Sequence, residues 1–158
     1  MIEVNTMAYG VMFRVEKDYP TSSRKFKELL KAIDIERYIW KTEESDFYNT
    51  ANLQNILEKN HIKSGKEVLK ELDCEVMMIW LALKGYEDKN DIEESNNLFQ
   101  NYLDSKCVTV VFVVDTCMFS VYSKNTETLK KAVDFAKNNN TGTFEIIDKK
   151  QAERYFSI

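Results

Sequence analysis

The sequence predicts one α+β domain in which a mostly antiparallel sheet of about five to six strands packs against helices. Three observations point there. Two runs, Val76 to Leu83 and Val108 to Val114, are nearly uninterrupted in apolar character, as strands covered on both faces are. Met118 to Ser123 follows the second run after a turn too short to allow anything but an antiparallel partner. Helical stripes are interspersed without the strict alternation of a doubly wound parallel sheet. At 158 residues, with 44% hydrophobic and 12% aromatic residues but only four Gly and one Pro, the chain fits one packed domain over 1–158 with no repeat or linker.

The elements follow in order. Tyr9, Val11, Phe13 and Val15 alternate as in a strand with one wetter face. After Pro20, the hydroxyls of Thr21, Ser22 and Ser23 offer caps for a helix whose Phe26, Leu29, Leu30 and Ile33 form one stripe. Ile35 to Trp40 reads as a short second strand, Glu43-Glu44-Ser45-Asp46 as an acidic loop, and Phe47-Tyr48 as a small strand. Leu53, Ile56 and Leu57 mark a brief helix, and Ser64 with Glu67 forms a capping box before Val68, Leu69 and Leu72. Gly85 is expected to end the strand that contains Trp80. The acidic residues Glu87, Asp88, Asp91, Glu93 and Glu94 then lead to Ser95, a cap for a helix carrying Leu98, Phe99, Tyr102 and Leu103. A hairpin turn near Asp115-Thr116 would set Cys117 opposite about Val114 and Cys107 opposite about Lys124. Leu129, Ala132, Val133 and Ala136 share a face of a helix after Thr126, Gly142 punctuates its end, and Thr143 to Ile147 supplies a last strand. A helical turn from Asp148 returns Tyr155 and Phe156 to the body.

Charge and composition narrow the function classes. Twenty-six acidic against 22 basic residues give a net charge of −4, which disfavours nonspecific binding to nucleic acid. The densest basic run, Arg24, Lys25, Lys27 and Lys31, lies on the polar side of a predicted helix. No stretch approaches the roughly 20 apolar residues of a membrane-spanning helix, and the N-terminus lacks a secretory pattern, so the expected compartment is the cytoplasm. Three cysteines without metal-ligand spacing read as reduced thiols.

Chemistry-bearing patterns are sparse. The single histidine, His61, falls in a polar connection, and no Walker loop or dinucleotide fingerprint occurs. Cys74, Cys107, Cys117 and His61 lack the short pairwise spacing of a zinc site. No catalytic residue, metal or cofactor is therefore assigned. The remaining feature is the pairing of acidic stretches with aromatics: Trp40, Glu43, Glu44, Asp46 and Tyr48 in one place, Tyr86, Glu87 and Asp88 in another. Aromatic anchors ringed by negative charge suit a protein-binding surface that steers a basic partner.

Three stretches also carry a resemblance. They are Gly10-Val11-Met12-Phe13-Arg14-Val15, the run from Leu30 to Trp40, and the run from Tyr102 through Val114-Asp115 to Lys124. In these the chain resembles a family of small uncharacterised proteins of spore-forming and related Gram-positive bacteria, a domain of unknown function. The resemblance is one of strands and aromatics, and it implies no active site; the acidic stretch from Glu87 to Glu94 departs from it. The expectation is a non-catalytic cytoplasmic module of the immunity or inhibitor type that binds another protein, with neither nucleic acid nor membrane as partner. The alternative is a small enzyme or small-molecule-binding domain whose pocket lies on the sheet and uses Cys117, Tyr122 or His61.

Overall fold

A computed structural model describes residues 8–94 and 98–156. Ser95, expected as a helix cap, lies outside them. The described elements are β1 (Gly10–Arg14), α1 (Tyr19–Ala32), a 3-10 turn at Ile35–Arg37, β2 (Ile39–Asn49), β3 (Ile62–Ser64), α2 (Gly65–Glu71) and β4 (Val76–Tyr86). A second 3-10 turn at Lys89–Asp91, α3 (Phe99–Asp104), β5 (Thr109–Val114), β6 (Met118–Ser123), α4 (Thr126–Asn139), β7 (Phe144–Ile147) and α5 (Lys149–Tyr155) complete the order. The seven strands form one antiparallel sheet in the order β3-β2-β4-β5-β6-β1-β7. The class is α+β, with more strands than the sequence alone suggested.

The first face of the sheet carries the larger core. Phe26, Leu29 and Leu30 of α1 and Leu129, Ala132, Val133 and Ala136 of α4 pack on Val11, Phe13, Leu81, Leu83, Val111, Val113, Phe119 and Val121. Asp18, not a hydroxyl after Pro20, caps α1 by accepting the Thr21 N–H at 2.9 Å, because Pro is tolerated inside a first helical turn. The expected capping box at Ser64 and Glu67 is present, and Asp148 with Gln151 makes another on α5.

Four local expectations fail. Residues 39–49 are one strand rather than two strands and a loop, since the long partner β4 supplies hydrogen bonds along the whole segment while bulges absorb Glu43 on β2 and Ile79 on β4. The segment of Leu53, Ile56 and Leu57 is not helical: Leu53 and Leu57 adopt left-handed backbone, and the Ile56 N–H donates to Phe47 O on the edge of β2. Gly85 does not end β4, which runs on to Tyr86; the Trp40 indole lies where a Cβ on Gly85 would sit, at 2.9 Å, so glycine is needed there. The hairpin also closes one residue later than expected, Val114 pairing Met118, which leaves Cys117 in the turn.

Candidate functional site

The second face of the sheet is assembled from rows that the strand register defines. One row reads Lys41, Lys84, Val110, Tyr122, Gly10 and Ile147 across β2, β4, β5, β6, β1 and β7. The next reads Glu44, Ala82, Phe112, Ser120, Met12 and Glu145. The third reads Asp46, Trp80, Val114, Met118 and Arg14. Side chains two apart on a strand share a face, so all three rows look the same way.

Only part of this face is closed. Over its upper rows, Phe99 and Tyr102 of α3, Ala152 of α5 and Phe156 just after it join Ala82, Tyr86, Val110, Phe112, Tyr122 and Ile147 in a second buried cluster. Phe156 lies 5.1 Å from the Tyr122 ring and 5.2 Å from that of Tyr102, near enough for edge and stacked contacts. Gly10 permits the close approach, since a Cβ there would sit 2.7 Å from the Tyr122 ring.

An ionic cluster borders that closed region. Lys84, on β4, is 2% exposed, and the bulged Glu43 holds its Oε1 at 3.6 Å from Lys84 Nζ and 3.2 Å from Lys41 Nζ. Two cations around one carboxylate let buried charge persist on a central strand. The Tyr86 hydroxyl beyond it is buried with no hydrogen-bond partner among the described residues. Burial drives its pKa upward, with Cys107, Glu43 and Glu93 adding to the effect. Burial likewise pushes the Cys107 thiol up to about 12, against the pull of Lys84 and Lys124. Both groups stay protonated at neutral pH, so neither is an activated nucleophile.

The third row stays open. Trp80 and Met118 are half-buried, Val114 is 37% exposed, the bulge residue Ile79 is 45% exposed, and Asp46 and Arg14 stand exposed at the two ends. The expectation that Val76 to Leu83 is covered on both faces thus holds only from Leu81 onward.

The residues singled out from sequence divide accordingly. Trp40 and Tyr86 are core side chains, the former donating its indole N–H to Ile35 O at 2.9 Å, so neither anchors a surface. Glu43 is engaged by the two lysines, and Glu44 by Lys59 at 2.9 Å. Asp46 accepts from the Tyr48 hydroxyl at 3.2 Å on the open face. Glu87 and Asp88 are exposed, Asp88 capping the turn that follows, but the seven residues from Trp80 to Glu87 put them about 24 Å along β4 from Asp46. Asp46, at the far end of the first acidic stretch, is thus well apart from the second, whereas Glu43 lies nearer to Tyr86. Of the groups considered for a pocket, Cys117 and Tyr122 are buried and His61 is exposed beside Glu58. Sequence reasoning missed Lys84, Val114, Met118 and Arg14; a hairpin register one residue later would have aligned Val114 with Met118, whereas Arg14 joins the row only through the pairing of β1 with β6.

Among the described residues, no group of three or more His, Cys, Asp or Glu side chains is placed to hold a metal ion, and no helix is long and apolar enough to cross a membrane. Residues 8–157 match a protein family described as "protein of unknown function (DUF2691)". No curated protein and no solved structure matches the chain.

Proposed function

The chain belongs to the DUF2691 family, and from its geometry we propose that it is a non-catalytic protein-binding domain whose contact surface is the open half of the second sheet face. The observation that carries this reading is the run of Trp80, Val114 and Met118 across three neighbouring strands, which stays partly exposed while Ala82, Phe112 and Tyr122 on the same face are buried. Contiguous apolar side chains with a charged rim are the usual composition of a protein contact. Asp46 and Glu44 on β2 favour a basic group in the partner at that edge.

Capture on the immobilised chain tests the reading. Trp80→Ser together with Val114→Asp should reduce recovery of a bound protein at least tenfold, whereas substitutions at Glu87 and Asp88 should leave it unchanged. Equal capture by both sets removes the open face as the binding surface.

The buried Tyr86 hydroxyl, without a hydrogen-bond partner among the described residues, favours a second reading, in which a small polar ligand reaches the end of β4 beside Lys84 and Glu43. Such a ligand would raise the melting temperature by binding only the folded form, and Tyr86→Phe would abolish the rise. A broad metabolite screen without any shift counts against it.

A further inference from the structure

We propose that the occupant of the open face is a second copy of this chain, docked across a twofold axis; this rests on the reading of that face as a protein contact. The argument comes from the order of one row. Across β2, β4, β5, β6 and β1 the side chains are Asp46, Trp80, Val114, Met118 and Arg14, an acid and a base flanking three apolar groups with Val114 at the centre. With strands about 4.8 Å apart, the two charges stand about 19 Å from each other.

A twofold axis that runs parallel to the strands over Val114 reverses the row when two copies meet face to face. Asp46 then lies opposite Arg14 of the second copy, Trp80 opposite Met118, and Val114 opposite itself. The Asp46–Arg14 pair forms twice, once at each end, and the aromatic ring meets a flexible thioether side chain that can mould to it. A twofold axis along the row would instead set Asp46 over Asp46 and Arg14 over Arg14, which like-charge repulsion disfavours. The row is thus self-complementary in one orientation only, as an isologous interface requires.

Glu44, beside Asp46 on the same strand face, does not upset this balance, because Lys59 neutralises it at 2.9 Å. Glu145, on the far strand β7, is engaged by the Gln151 side-chain amide. Asp46 and Arg14 are the charged side chains left at the ends of the apolar row, and both are exposed.

Sedimentation velocity of the full chain across the micromolar range tests the proposal. The wild-type chain should dimerise with rising concentration, and Asp46→Arg or Arg14→Asp should each weaken the dimer at least tenfold by placing like charges opposite each other. An equimolar mixture of the two variants should associate again, since each copy then supplies the charge the other lacks. Both sites are exposed, so unchanged circular dichroism is expected and folding is checked directly. A dimer indifferent to both substitutions overturns the proposal, as does failure of the mixture to recover. A chain that stays monomeric also overturns it. In that event, a capture still lost on Trp80→Ser and Val114→Asp leaves the face to a foreign basic protein, and absence of capture removes the binding reading as well.

Discussion

Along β4, Ala82, Lys84 and Tyr86 are buried, whereas Trp80, two residues before Ala82 on the same face, is only half-buried and its cross-strand neighbour Val114 is exposed. The strands and register are continuous through both regions, so the difference comes from what lies on top. The helices α1 and α4 on the first face have 14 residues each, about 21 Å, and together they span that face. The helices α3 and α5 on the second face have six and seven residues, at most about 10 Å, against about 36 Å for the 11 residues of β4. Short cover helices cannot close a long sheet.

The comparison is sharpest in stability. Tyr122→Ala in the closed half should cost about 3–5 kcal/mol in urea unfolding, as loss of a large buried aromatic does. Trp80→Ala in the open half should cost less, about 2–3 kcal/mol, because part of its surface already meets solvent. Equal costs would mean that the two halves are equally covered.

Glu43 and Glu44 are adjacent in sequence but belong to the two regimes. Glu43→Ala should cost about 2–3 kcal/mol by leaving Lys84 and Lys41 without their shared carboxylate in a mostly dry site, while Glu44→Ala should stay within about 0.5 kcal/mol. A double-mutant cycle with Lys84→Met should recover part of the Glu43 loss, since an apolar side chain there needs no counter-charge. Absence of coupling would show that the pair is solvated.

The smallest effect at neutral pH is the titration of the closed half. Tyr86, Tyr102, Tyr122 and Cys107 all have pKa values raised chiefly by burial. A raised folded pKa gives stability that is complete below the unfolded value, about 8.5 for a thiol and 10 for a phenol, and that is lost as pH rises toward the folded one. Melting temperature should therefore decline above about pH 9. Tyr122→Phe should flatten that decline; an unchanged slope would show that its hydroxyl is not shielded.

How much of this was legible in the sequence follows from the range of each signal. The stripe of Phe26, Leu29, Leu30 and Ile33 and the capping box at Ser64 are local patterns that form as expected, and the hairpin after Val114 forms with its register one residue off. The single strand through Glu43 to Asp46 was hidden because four polar residues look like a loop until β4 is known to run beside them. Continuous hydrophobicity in Val76 to Leu83 reported apolar groups on both faces but not whether anything covers Trp80, since that depends on α3 and α5 elsewhere in the chain. The acidic residues were visible as charges; that Glu43 points into the protein at Lys84 could not be read from their spacing.

The two tryptophans provide the most direct test of the account, because one lies in each environment: Trp40 is 1% exposed in the first-face core, and Trp80 stands half-buried on the open row. Acrylamide quenching of Trp80→Phe and Trp40→Phe variants reads them separately. The Trp40 signal should resist quenching at every concentration, whereas Trp80 should be quenched readily in dilute protein and become protected as concentration rises and copies dock. A Trp80 as shielded as Trp40 in dilute monomer would contradict the open face, and a Trp80 equally accessible at all concentrations would contradict its occupation by a second copy.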